Sequence, residues 1–187
     1  MGLFDKLKSN AKSGLASSIS NLGNKTEVIT INALPESLSE MQALPEASLD
    51  SPFKTAALTV CALCAFAADE HIGTDMLNFL RGPRPLTGYD ISFMKDRFRG
   101  NRTYIPFSYF EGAVPGNDYT PSEPFKITIQ STSHSNDTEG YVKLFIQCGG
   151  ADSPRPITMR QKGDQWFLWE QALLTDIRQP KSSDPWA

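Results

Sequence analysis

The chain has 187 residues, 40% of them hydrophobic and 21% charged, with a formal net charge of −3. This length suits one domain with a substantial core. The slightly negative net charge does not show the excess of basic residues that is typical of nucleic-acid-binding proteins. The cysteines Cys61, Cys64 and Cys148 are odd in number, which argues against a secreted disulfide framework and for a reducing compartment.

Residues 1–25 are predicted to form an amphipathic N-terminal segment, with the flexibility common at chain ends, beside a single domain at 26–187. Apolar residues recur at helical spacing through Met1–Leu22, and four lysines stand against one aspartate in the segment. Such a helix can lie on an anionic membrane surface. The alternative is a helix that packs on its own domain or frays.

No signal peptide is expected, because no apolar run of suitable length follows the first lysines. The most apolar run, Ala56–Ala68, is too short to span a bilayer and is typical of a buried helix. The sequence therefore favours a cytoplasmic protein.

The first half of the domain is predicted to be mainly helical. Its elements are a strand at Glu27–Ala33 and helices at Pro35–Leu44, Pro52–Ala68, Thr74–Arg81 and Gly88–Arg99. Ser51 and Pro52 are an N-cap and a first-turn proline, and Thr87 with Asp90 is a variant of the capping box. The second helix is apolar nearly all round, which predicts that it is buried.

From residue 103 the period changes to two, which predicts strands. They are expected at Thr103–Phe110, Phe125–Ser131 and Gly140–Cys148, followed by a hairpin at Pro156–Gln171. Pro106 cannot donate to a ladder, so the first of these strands is placed at an edge or bulge.

The hairpin turns at Lys162-Gly163-Asp164, and its return strand is apolar on both faces. Trp166 and Leu168 are predicted to point to one side of the strand, and Phe167 and Trp169 to the other. The buried helix would cover one side, and a second layer, formed by the segment 104–125 or by the tail at Asp176–Trp186, would cover the other.

The predicted helices come first in the chain and the predicted strands second. This order predicts an α+β fold, in which N-terminal helices pack on one face of a mainly antiparallel sheet of four to six strands. A curved sheet wrapped round one long helix, as in cystatin-like or NTF2-like folds, is the most economical arrangement.

Several segments together resemble a bacterial family of uncharacterised proteins, over about residues 26–187. They are ALPEASLDSPFKTAAL at 43–58, MLNFLRGPRPLTGYD at 76–90, YIPFSYFEGAVPGNDYTPSEPF at 104–125, GADSPRPITMRQKGDQWFLWEQ at 150–171 and DIRQPKSSDPWA at 176–187. The resemblance implies one intact cytoplasmic domain that includes the tail. It implies no catalytic residues.

No complete catalytic or metal-binding pattern occurs in the sequence, so no catalytic residue, metal or cofactor is predicted. His71 is expected at a helix C-terminus and His134 in a polar loop, and Cys61 and Cys64 are read as buried hydrophobic residues. The basic residues between 81 and 102 suggest an anion site, but the interleaved Asp90 favours a solvated, salt-bridged surface.

The leading hypothesis is a non-catalytic domain that binds a small ligand or a partner protein, but no nucleic acid, through an aromatic-lined cleft. The candidate binding residues are Tyr104, Tyr109, Tyr119, Arg155, Arg160 and Trp166. One alternative is a small enzyme with a carboxylate-lined pocket on an NTF2-like fold. A second is a membrane-surface adaptor that uses Met1–Leu22.

Overall fold

The computed structural model describes residues 22–186, and their strands form one antiparallel sheet. The strands are β1 (Thr26–Ile31), β2 (Phe125–Gln130), β3 (Tyr141–Ile146), β4 (Arg155–Lys162) and β5 (Gln165–Gln171), side by side in chain order. Strands β2 to β5 form a meander, and the helices lie in the long connection from β1 to β2.

Four α-helices lie within residues 22–186. They are α1 (Leu38–Ala43), α2 (Pro52–Ala68), α3 (Glu70–Arg81) and α4 (Gly88–Phe98). Ser51 caps α2 through its side chain, which accepts the N–H of Phe53, and Pro52 occupies the first turn. Thr87 and Asp90 form a reciprocal capping box at the start of α4. Both predicted caps are confirmed.

Helix α2 is the centre of the core. Its residues from Ala56 to Leu63 are almost fully buried, and so are the sheet residues that alternate toward it, among them Ile127, Leu144 and Met159. The hydroxyl of Thr55 donates to the main-chain oxygen of Trp166 at 2.7 Å, which fixes the helix to β5. Side chains therefore fill the space between α2 and the sheet.

Asp69 both ends α2 and begins α3. Its carboxylate accepts the N–H groups of His71 and Ile72 at 2.8 and 3.0 Å, which satisfies two of the free donors at a helix N-terminus. Helix α3 therefore starts at Glu70, earlier than the predicted Thr74. The prediction that His71 lies at a helix C-terminus is wrong, since it stands in the first turn of α3.

The predicted strand at Thr103–Phe110 is also wrong, because Arg102–Tyr109 forms a 3₁₀-helix. Ile105, Ser108 and Tyr109 are buried, and the Ser108 hydroxyl donates to the Ile105 carbonyl oxygen at 2.6 Å. These buried residues are three and four positions apart, as on one face of a helix. A run so rich in aromatic residues permits this spacing as well as the alternation of a strand.

The hairpin of β4 and β5 is confirmed, with Gly163 in the left-handed region at a φ of +64°. Trp166 and Leu168 are buried on the side of α2, and Phe167 and Trp169 are half-buried on the other side. The layer over Phe167 is the turn after α3. A Cβ on Gly82 would lie 2.5 Å from the Phe167 ring, so only glycine allows this approach.

The α+β class, with N-terminal helices on one face of an antiparallel sheet, is thus confirmed. Among the described helices, none has the length and hydropathy needed to cross a membrane. The predicted membrane-binding helix at Met1–Leu22 lies outside the described residues, apart from Leu22.

Candidate functional site

The face of the sheet that points away from α2 carries a cluster of aromatic and cationic side chains. Tyr141 on β3 pairs in register with Arg160 on β4, and Arg160 pairs with Phe167 on β5. Side chains opposite each other on one face of a sheet lie in contact range. The alternation that buries Met159 therefore brings Arg160 out beside the aromatic rings of both neighbouring strands.

Trp169 is the centre of this cluster. The guanidinium carbon of Arg84 lies 4.2 Å from the centre of its ring, and that of Arg160 lies 4.8 Å away. Arg160 also lies 5.1 Å from the ring centre of Tyr141, which meets Trp169 edge-on at 5.5 Å. We call Arg84, Tyr141, Arg160 and Trp169 the arginine–tryptophan cluster.

The turn after α3 brings Arg84 to the cluster. Gly82 has a φ of +57° and a ψ of −118°, a backbone conformation that residues with a side chain rarely adopt. The Nε of Arg81 donates to the carbonyl oxygen of Arg84 at 3.0 Å, and Leu86 N–H donates to the side chain of Asn78 at 2.7 Å. These bonds hold the turn against the end of α3.

A cavity of about 290 Å³ opens beside the cluster, and we call it the cationic cavity. Its wall is apolar at Pro83 and Phe167, and no carboxylate lines it. The lining residues are Arg81, Pro83, Arg84, Arg160, Gln161, Lys162, Phe167, Leu168 and Trp169. Four cations thus converge on one small space.

None of these four cations forms a salt bridge with another residue in 22–186. Across residues 22–186, Arg84, Arg160 and Lys162 take part in none of the ion pairs, which join other side chains. Arg81 is only 9% exposed, and its terminal nitrogens make no hydrogen bond to described residues. Burial lowers the pKa of Arg81, and the charge of Arg84 adds to this effect, while Asp90 opposes it.

A second cavity of about 350 Å³ adjoins the first, and we call it the mixed cavity. The two share Arg81, Arg84, Leu168 and Trp169. The mixed cavity extends toward α4, and its other lining residues are Leu77, Leu86, Asp90, Phe93, Met94, Glu170 and Gln171. It therefore contains carboxylates as well as arginines.

Burial alone would raise the pKa of Asp90. Hydrogen bonds from Thr87 and the charges of Arg81 and Arg84 lower this pKa, and together they outweigh the effect of burial. The pKa of Asp90 accordingly lies below its usual value. Asp90 is thus ionised at neutral pH and lies close enough to both arginines to feel their charge.

Two of the other basic residues between 81 and 102 form the salt bridges that the sequence favoured. Lys95 pairs with Glu70 at 2.8 Å, and Arg99 pairs with Asp96 at 3.2 Å. Arg81 and Arg84 differ, because Arg81 is buried at the end of α3 and Arg84 lies over Trp169 of β5.

The three tyrosines of the predicted cleft serve to hold the segment 104–125 in place. The buried Tyr109 hydroxyl donates to the carbonyl oxygen of Leu173 at 2.6 Å, and burial raises its pKa strongly. Tyr119 donates to the carbonyl oxygen of Arg178 at 2.5 Å and stacks on Tyr104 with ring centres 5.1 Å apart. Burial, with smaller effects of Cys148 and Tyr104, raises the pKa of Tyr119 to about 12.

The remaining predicted binding residues do not lie together in one site. Trp166 is buried in the core, and its main-chain N–H donates to the carbonyl oxygen of Leu49 at 2.8 Å. Arg155 donates to the carbonyl oxygen of Asp176 at 2.9 Å. Of the six predicted binding residues, only Arg160 lines the cationic cavity.

Sequence reasoning missed Arg84, Tyr141 and Trp169 as site residues. The signal for Trp169 was present, because a strand with two apolar faces places Trp166 and Trp169 on opposite sides. Arg84 belongs to the basic region in which an anion site was considered, but its contact with Trp169 depends on the conformation of Gly82, which the sequence pattern does not show.

Among residues 22–186, little supports the carboxylate-pocket enzyme. Side chains fill the space between α2 and the sheet, and the pKa values of Asp50, Asp90 and Asp152 are lowered rather than raised. Within residues 22–186, no group of three or more His, Cys, Asp or Glu side chains is placed to hold a metal ion. Both histidines are exposed beside an aspartate.

A comparison with protein-family models matches residues 33–181 to a domain of unknown function, DUF6935. The chain belongs to the DUF6935 family. The match includes both cavities and the whole of β2 to β5, whereas β1 precedes it. Neither a comparison with curated proteins nor one with solved structures gives a match.

Proposed function

We propose that this DUF6935 protein is a non-catalytic domain of the bacterial cytoplasm that binds a small anionic molecule in the cationic cavity. The observation that carries the proposal is the convergence of Arg81, Arg84, Arg160 and Lys162 on a cavity that no carboxylate lines. The charges of Arg81 and Arg84 act against each other, Asp90 opposes this effect at Arg81 from outside the cationic cavity, and a bound anion would add a counter-charge inside it.

The state of Arg81 supports this proposal most directly. Its pKa is lowered by burial and by its neighbour Arg84, which means that its charged form is held in an unfavourable place. Asp90 offsets only part of this effect. An anion in the cavity would stabilise the charged guanidinium and meet its free terminal nitrogens.

The cluster also prepares its arginines for binding. Stacking on Trp169 holds the planar groups of Arg84 and Arg160 in place, at about 0.5–1 kcal/mol for each exposed contact. Less side-chain freedom is then lost when a ligand binds. Guanidinium groups recognise carboxylate and phosphate oxygens through paired hydrogen bonds.

The size and wall of the cavity favour a small molecule with an apolar part. A volume of about 290 Å³ is at the lower end for ligand sites. Phe167, Leu168 and Trp169 provide the apolar wall, and the cations surround it. An aromatic or short aliphatic carboxylate fits this combination.

The test is a titration with benzoate, followed by calorimetry and by the indole N–H signals in nuclear magnetic resonance spectra. Benzyl alcohol has the same ring without the charge and serves as the control ligand. The Trp169→Phe variant assigns the signal of Trp169. We expect saturable binding of benzoate that shifts this signal, and no comparable effect of benzyl alcohol.

Variants then locate the binding. Arg160→Gln should weaken benzoate binding about tenfold, which is the effect of losing one charge-assisted hydrogen bond. Arg99→Gln removes the same charge from an exposed residue outside both cavities. Equal affinities of the two variants, or equal binding of benzoate and benzyl alcohol, would contradict the proposal.

A further inference from the structure

We propose that the ligand carries an ammonium group as well as its anionic group and spans both cavities. This inference rests on the proposed function and adds the chemical class of the ligand. The cationic cavity would hold the anion, and the mixed cavity would hold the ammonium group beside Asp90 and Glu170.

The first observation is that the mixed cavity contains carboxylate oxygens without a partner. Glu170 is exposed and makes no ion pair with any residue in 22–186. Only one oxygen of Asp90, Oδ2, accepts hydrogen bonds, both from Thr87. Its Oδ1 remains available to a ligand.

The second observation concerns Arg84, which lines the mixed cavity together with both carboxylates but pairs with neither. Its guanidinium lies over Trp169 instead, at 4.2 Å from the ring centre. Arg84 and the two carboxylates thus line one cavity without a salt bridge between them. A ligand with charges of both signs would bind both the arginine and a carboxylate, whereas a simple anion would bind only the arginine.

The third observation is that Arg81 connects the two cavities. It is nine-tenths buried, it lines both spaces, and its terminal nitrogens have no partner among the described residues. With Arg84 it places positive charge along the wall that the two cavities share, so the ammonium group is placed away from that wall, beside Glu170 in the mixed cavity. This arrangement sets the order of charges along the ligand.

The experiment compares two ligand series by calorimetry on the full chain. The first series is ω-amino acids from 3-aminopropanoate to 8-aminooctanoate, and the second is the plain carboxylates of the same lengths. We expect one intermediate length at which the amino acid binds about two- to fivefold more tightly than its plain carboxylate, the range of an exposed ion pair.

Glu170→Gln should abolish that gain, so that the amino acid and the plain carboxylate of each length bind this variant with equal affinity. Glu139→Gln removes the same charge from an exposed residue outside both cavities and should keep the gain. Circular dichroism of both variants checks that they are folded.

The outcomes separate the two proposals. If plain carboxylates bind and the amino group gives no gain at any length, the ammonium site is wrong and the anion site stands. A gain that persists in Glu170→Gln also overturns the ammonium site. If neither series binds, the anion site fails, and this inference fails with it.

Discussion

The substitution Gly73→Ala tests the close contact between helices α2 and α3. A Cβ on Gly73 would lie 2.1 Å from the Cα of Phe66, so the added methyl group meets backbone rather than a flexible side chain. Overpacking of this kind costs about 1–3 kcal/mol, and a backbone contact belongs at the upper end. Because alanine favours helix formation more than glycine does, the substitution also stabilises the helix by about 1 kcal/mol.

We therefore expect Gly73→Ala to lower the free energy of unfolding by about 2 kcal/mol. For a chain of this size, the midpoint of thermal unfolding should fall by about 4–8 °C. Urea unfolding followed by tryptophan fluorescence measures the change, with the dependence on urea concentration compared between variants.

Gly88→Ala is the matched control, because Gly88 begins α4 and a Cβ there would meet nothing within 4 Å. The same substitution at Gly88 should leave stability unchanged or raise it by up to about 1 kcal/mol. A Gly73→Ala variant as stable as Gly88→Ala would refute the packing of α2 against α3.

Three further predictions concern other parts of the chain. Tyr109→Phe leaves the carbonyl oxygen of Leu173 without its donor and should lower the free energy of unfolding in urea by about 1–3 kcal/mol, whereas Tyr104→Phe, which removes a hydroxyl with no hydrogen bond to described residues, should change it little. Asp90 has a lowered folded pKa, so its stabilisation is present above its unfolded pKa of about 3.9 and is lost as pH falls through the folded value. Thermal unfolding of Asp90→Asn should accordingly depend less on pH below about 4 than that of the unchanged chain, and parallel curves would contradict this. If the N-terminal segment binds membranes, the full chain should co-sediment with anionic liposomes and a chain that begins at Lys25 should not; equal sedimentation would remove that hypothesis.

The sheet and the central helix could be predicted because local patterns determine them. Ser51, Pro52 and Thr87 act through neighbours in sequence, so their caps could be read directly. The apolar surface of Pro52–Ala68 predicts a buried helix whatever surrounds it. The alternation along β5 places Trp166 and Leu168 on one face and Phe167 and Trp169 on the other, and the structure shows that the first pair meets that helix.

The site could not be predicted to the same extent, because contacts between distant segments create it. Arg84 reaches Trp169 only through the conformation of Gly82, and the sequence does not show that β5 lies under that turn. For the face of β5 opposite the buried helix, the sequence suggested the segment 104–125 or the tail at Asp176–Trp186, and it did not suggest the turn after α3. The turn at 82–84 provides contacts to both Phe167 and Trp169.

The segment 104–125 shows a second limit of local patterns. A run rich in aromatic residues satisfies the strand period and the helical spacing equally, so its period does not decide between them. Long-range bonds decide instead, since Tyr109 binds Leu173 and Tyr119 binds Arg178. The same bonds bury the tyrosines that the sequence suggested as ligand contacts.

The most direct test of the anion site is a crystal structure of the protein with 4-bromobenzoate, located by the anomalous scattering of its bromine. The account predicts the ring against Phe167 and Trp169, and the carboxylate within hydrogen-bond distance of Arg84 or Arg160. An empty cationic cavity in crystals that hold the ligand elsewhere, or a carboxylate turned away from both arginines, would contradict it.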